Sequence, residues 1–183
     1  GPAFRFKHLW DSPPKEEASE TYIFIALPIT LDQSIAIMTA INFINNADLK
    51  KSSKFLIKLH PTMEKELLVN NLNFSISNNM SFTEEDASII LLKSNLIISG
   101  MSSICLEACA AGVPLIIFNS QNLIPFNSLP NNISKKIWRT VFNKEELKEQ
   151  LNYFLNMESS ERKLINSHAR KVKEDNFVPV NRE

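Results

Sequence analysis

The run Tyr22-Ile23-Phe24-Ile25-Ala26-Leu27, unbroken by any polar residue and stopped by Pro28, constrains this chain more than any other feature. A strand with no polar face has no side to give to water, so it must be covered on both faces, as in a parallel sheet. Similar short runs recur at Phe55–Leu59, Leu96–Ser99, Pro114–Phe118 and Ile137–Phe142, with a weaker one near Phe74–Ser77. Between them lie stretches with helical spacing. Ile37, Met38, Ile41 and Ile44 make one apolar stripe, and Thr30 with Gln33 reads as its capping box. A short helix is expected around Glu64–Val69, then one carrying Ile90 and Leu91 behind Thr83 and Asp86, then one reaching Ala111. Gly112 fits the residue after that helix, where φ is often positive. Asn143 and Glu146 form a further capping box ahead of Leu147, Leu151 and Phe154, and a last helix runs from about Ser160 to Lys173. Strands alternating with helices throughout predict an α/β fold, a Rossmann-like doubly wound parallel sheet.

At 183 residues the chain suits one domain with a real core. Residues 21–183 are expected to form it, and residues 1–20 an N-terminal arm and linker. Phe4 to Trp10 reads as a strand or arm placed to meet a preceding domain, followed by Asp11-Ser12-Pro13-Pro14, which has no apolar period. Lys plus Arg and Asp plus Glu both total 20, so the balanced charge gives no footprint for nucleic acid or for an anionic membrane. No apolar run approaches the roughly 18–20 residues of a membrane span, and no leader pattern opens the chain. Cys105 and Cys109 stand one turn apart on a helix, poor geometry for a mutual disulfide and no metal pattern. They read as buried apolar residues of a reducing, cytoplasmic compartment. No cofactor and no metal are called for.

With glycine at positions 1, 100 and 112 only, neither GxGxxG nor a Walker A loop can be built. A phosphate site would have to use helix N-termini and side chains. Three places offer one, all at expected C-terminal ends of strands, where such sheets bind ligands. His60-Pro61 ends the second strand; its imidazole can donate to a phosphate oxygen or be satisfied by a backbone carbonyl. In Ser99-Gly100-Met101-Ser102-Ser103, Gly100 is expected to supply a sharp turn, and Ser102 and Ser103 stand at a helix N-terminus, where they can cap the helix and face an anion. Glu107 follows one turn later and is either an acceptor for ribose hydroxyls or a solvated helix glutamate. Asp32, in the first strand-to-helix turn, and Arg139 are weaker contacts for sugar or phosphate, as is Lys58. His168 shares a stripe with Leu164 and Val172 and reads as half-buried packing.

His-Pro after one strand, a Ser-Ser pair before a helix, and Glu107-Ala108…Gly112-Val113-Pro114 leading into the next strand together resemble the C-terminal donor domain of GT-B glycosyltransferases. The combination is most similar to bacterial sialyl and Kdo transferases that use CMP-sugars, and to surface-polysaccharide biosynthesis proteins. The resemblance covers roughly residues 21–155. It implies one half of a two-domain architecture. His60, Gly100, Ser102 and Ser103 would hold the nucleotide phosphate, and Glu107 would lie near the ribose or base. The partner molecules it implies are a nucleotide-sugar donor, with a CMP-sugar favoured, and an N-terminal acceptor domain. The family's catalytic base usually comes from that other domain, so no catalytic residue is assigned here, and turnover by this chain alone is not expected. The implied location is cytoplasmic, free or peripheral to the inner membrane through a larger assembly. A nucleotide-sugar epimerase domain and a non-catalytic nucleotide-binding scaffold are the alternatives.

Overall fold

The computed structural model describes residues 6–11, 20–45, 53–100, 102–119 and 129–177. Six strands form one sheet: β1 (Thr21–Ala26), β2 (Ser53–Lys58), β3 (Met80–Phe82), β4 (Leu96–Ser99), β5 (Leu115–Phe118) and β6 (Trp138–Val141). Their order is β3-β2-β1-β4-β5-β6 and every pairing is parallel. This is the doubly wound arrangement expected from the apolar runs. The order reverses between β1 and β4, which pair with Ile25 opposite Ile98. Ile23, Phe24, Ile25, Leu96, Ile97, Ile98, Leu115 and Ile116 are all buried, because helices cover both faces.

The helices are α1 (His8–Asp11), α2 (Leu31–Asn45), α3 (Lys65–Asn70), α4 (Ala87–Lys93), α5 (Ile104–Ala111), α6 (Lys144–Leu155) and α7 (Ser159–Asn176). Helix α2 touches α3 and α6, while α5 touches α1, α4 and α7, so the helices separate into two layers. The predicted stripes are the buried ones: Ile37, Met38, Ile41 and Ile44 on α2, and Leu147, Leu151 and Phe154 on α6. Gly112 ends α5 at φ 71, its neighbour Val113 donating back to the Ala108 carbonyl at 3.0 Å. Both cysteines are free and buried.

Several local expectations change. The third strand lies at Met80–Phe82 rather than 74–77. Asn79 sets that register, since its carbonyl accepts from Phe55 and its side chain bonds Asn45 and the Ser53 carbonyl. Within the N-terminal segment, His8–Asp11 is a short helix rather than part of a strand. Leu9 is buried in the core of this domain, and Lys173 of α7 donates to the Leu9 carbonyl at 3.2 Å. Gln33 does not fold back as a capping-box partner; it is buried and donates to the Phe118 carbonyl at 3.2 Å. Asp86 precedes α4 without a side-chain cap bond. On α7 the buried residues are Ile165, Ala169 and Val172, with His168 half-buried beside them.

Candidate functional site

A crevice of about 420 Å³ opens at the C-terminal ends of β1 and β2. Its floor is Phe24, Ala26 and Leu27 from β1 and Lys58 to Pro61 from β2 and the turn after it. One wall is Asp86 to Ser88 at the start of α4; the opposite wall is Ser102 to Ile104 with Glu107 on α5. His8 of α1 completes the lining. The topology explains the meeting: β1 and β2 are neighbours, and β4, which feeds α5, pairs with β1 on its other side.

The structure therefore brings His60, Ser102, Ser103 and Glu107 to one cavity. His60 is half-buried, and the Thr62 N–H donates to its Nδ1 at 3.3 Å, with Thr62 Oγ1 2.8 Å from the same nitrogen. A ring that accepts at Nδ1 carries its neutral-form proton on Nε2, so His60 is set up as a donor through Nε2. Ser103 is the residue before α5, but its side chain makes no cap bond to the helix. Cys105 N–H donates to the Ser102 carbonyl at 3.1 Å, and the amides of this turn stand at the crevice end of α5. Their partial positive charge favours an anion there.

Glu107 is not the solvated glutamate of the alternative reading: it is 6% exposed. Its Oε2 lies 3.6 Å from Nε2 of His8. Helix α5 is otherwise packed by Cys105, Ala108 and Cys109, all fully buried, and desolvation pushes the Cys109 thiol far above its ordinary range. Gly100 is not among the residues that line the crevice. Its backbone is not in the positive-φ region, so the expected reason for a glycine here is replaced by another. A Cβ would meet Gln33 Nε2 at 2.9 Å and Pro28 Cγ at 3.0 Å, so close approach of the β1–α2 turn is what excludes a side chain.

The remaining candidates stand elsewhere. Asp32 is exposed in the first turn of α2 and is not among the lining residues. Arg139, on edge strand β6, donates to the Trp138 carbonyl and lies 5.6 Å over the Tyr153 ring. Lys58 does line the crevice, with Nζ 3.5 Å from the Glu84 carbonyl. Sequence reasoning missed His8, Asp86 and Ser88 as lining residues. For His8 no local signal existed, since its place depends on how α1 packs against α5 and α7. Between β5 and β6, residues 120–128 lie outside the described residues. No helix among the described residues is long and apolar enough to cross a membrane.

No protein-family model matches the sequence, and no curated protein matches it either. Solved structures do match in fold. The calicheamicin glycosyltransferase CalG4 superposes with a TM-score of 0.62 at 13% identity, over 91% of this chain and 41% of CalG4. The C-terminal domain of the group 1 glycosyl transferase LpcC from Francisella tularensis gives 0.57 at 12% identity over 85% of each chain. The Methanocaldococcus jannaschii UDP-GlcNAc 2-epimerase, solved with UDP-GlcNAc and UDP, gives 0.58 at 19% identity, over 85% of this chain and 45% of that one. The chain thus spans less than half the length of the two whole enzymes and most of the isolated C-terminal domain. The fold is a Rossmann-like domain of the kind found in GT-B glycosyltransferases.

Proposed function

We propose that this domain binds the nucleotide part of an activated sugar and serves as the donor half of an inverting glycosyltransferase. The observation that carries this is the convergence of His60, Ser102, Ser103 and Glu107 on one crevice at the carboxyl edge of the sheet. His60 Nε2, the serine hydroxyls and the α5 N-terminus would take the phosphate, with Lys58 adding charge. They would stabilise the negative charge that grows on the departing nucleotide as the sugar–phosphate bond breaks. Glu107 would accept from hydroxyls. A base outside this chain would deprotonate the acceptor.

The His-Pro and Ser-Ser order supports a CMP-sugar donor, and with it a role in bacterial surface-carbohydrate assembly at the cytoplasmic side of the membrane. A second reading has its own support. The M. jannaschii epimerase is solved with UDP, and the S. aureus protein MnaA, also solved with UDP, gives a TM-score of 0.58. A UDP-sugar epimerase domain would use the same crevice.

Calorimetric titration with CMP, CDP, UDP and GDP tests the proposal, using the wild type, His60→Ala and a Ser102→Ala/Ser103→Ala double variant. Losing a hydrogen bond to a charged phosphate costs about 1.5–3 kcal/mol, so each variant should weaken binding about ten- to hundredfold. CMP preference supports the CMP-sugar donor; UDP preference moves the domain to the other donor class. Binding should not change when EDTA is added. Nucleotide affinity that both variants leave intact would refute the assigned site.

A further inference from the structure

The two ring nitrogens of His60 stand in different surroundings. Nδ1 is taken up within the turn that follows β2: Thr62 Oγ1 lies 2.8 Å from it, and the Thr62 N–H donates to it at 3.3 Å. The Met63 N–H closes the same turn by donating to the His60 carbonyl at 2.9 Å. Pro61 takes the second position of that turn, which its fixed φ suits. His60 and Pro61 line the crevice, whereas Thr62 is exposed and does not. Thr62 therefore grips the ring from outside the cavity. Among the described residues no group bonds to Nε2.

The two Thr62 groups differ in what they can do. A hydroxyl donates or accepts, whereas a backbone N–H only donates. With the ring proton on Nδ1, that proton would face the Thr62 N–H, and Nε2 would turn a lone pair toward an incoming phosphate oxygen. With the proton on Nε2, Nδ1 accepts from both Thr62 groups and the Nε2–H is left for the ligand. We infer that Thr62 is a positioning residue for the phosphate site: through Nδ1 it fixes the tautomer and the orientation of the His60 ring, so that Nε2 meets the ligand as a donor. A half-buried ring without such a partner exchanges tautomers and samples more than one rotamer. Ordering it in the free protein removes that loss of freedom from the binding step.

The inference rests on the phosphate role proposed for His60, and its test separates the two. Long-range proton–nitrogen NMR spectra of the ligand-free, histidine-labelled protein read the protonation of each ring nitrogen. The signals lost in His60→Ala assign His60 among the three histidines. At alkaline pH, Nδ1 of His60 should be the unprotonated nitrogen and Nε2 the protonated one. CMP and UDP are then titrated into the wild type, Thr62→Val, Thr62→Ser, His60→Ala and the His60→Ala/Thr62→Val double variant. Thr62→Val should weaken binding about two- to tenfold, the worth of one hydrogen bond, and Thr62→Ser should bind as the wild type does. In the His60→Ala background Thr62→Val should change nothing, because Thr62 acts only through the ring. A Thr62 that met the phosphate itself would keep its effect there. Thr62 is exposed, and thermal melts check that each variant remains folded. A proton on Nδ1, an unchanged affinity in Thr62→Val, or a loss that persists without His60 overturns the inference and leaves nucleotide binding standing. A wild type that binds neither nucleotide overturns the phosphate site and this role with it, and the nitrogen shifts, which need no ligand, still decide the tautomer.

Discussion

Replacing Gly100 by alanine adds one methyl group where the β1–α2 turn already touches the end of β4. The new Cβ would lie 2.9 Å from Gln33 Nε2, 3.0 Å from Gln33 Cδ and 3.0 Å from Pro28 Cγ. The proline ring is stiff, so the glutamine is the part that can move. Its amide is buried, however, and donates to the Phe118 carbonyl at the end of β5. Moving it gives up a buried hydrogen bond, and overpacking of this kind typically costs 1–3 kcal/mol; about 2 kcal/mol is expected. With a urea slope of about 2 kcal/mol per molar, the unfolding midpoint should fall by about 1 M. In a Gln33→Ala background the amide is gone and only Pro28 remains in the way, so the same substitution should cost about half as much. The assay is equilibrium urea unfolding of the four proteins of that cycle. A Gly100→Ala cost below about 0.5 kcal/mol, or an unchanged cost in the Gln33→Ala background, would refute the steric account.

Other consequences can be checked in the same way. Gly112→Ala should destabilise by about 1–2 kcal/mol in urea unfolding, because φ 71 disfavours a Cβ and Asn166 Oδ1 would be 3.0 Å from it. Cys105 and Cys109 are buried, and desolvation raises the Cys109 thiol well above its usual value. Neither should react with a thiol reagent at pH 8 in the native state, and both should react once the chain is unfolded; fast native labelling would contradict the burial. Lys54 and Tyr22 hold the Glu20 carboxyl below its ordinary value of 4.5, at 2.6 Å and 2.5 Å. A depressed carboxylate contributes stability above its unfolded value, and the contribution is lost as the pH falls below 4.5 through the folded value. Glu20→Gln should remove a small part of the acid-side slope of stability, small because the group is exposed; an unchanged slope would show that the pair contributes nothing.

The strand runs and helix stripes were legible because burial on both faces leaves an unbroken apolar signature. Ile23, Phe24, Ile25 and Leu27 of β1 and the turn after it, and Ile37, Met38, Ile41 and Ile44 of α2, are buried as that signature requires. His60, Ser102, Ser103 and Glu107 were legible as candidates because each stands next to a strand end or a helix start, positions that local sequence marks. Phe74–Ser77 misled because its apolar residues cover the core from a loop, while the pairing itself depends on Asn79 meeting Asn45 and Ser53. Gln33 misled because a capping pattern and a long-range strut look alike in sequence; its partner is Phe118. The sequence by itself therefore determined β1, β2, β4, β5 and β6, helices α2 to α7, and the candidates His60, Ser102, Ser103 and Glu107 at the carboxyl edge of the sheet. Only the tertiary structure decided that Arg139 and Asp32 stand outside the crevice, that Gly100 is needed for close packing, and that His8 faces Glu107. Those outcomes depend on contacts between residues far apart in the chain, and local periodicity and turn chemistry carry no record of them.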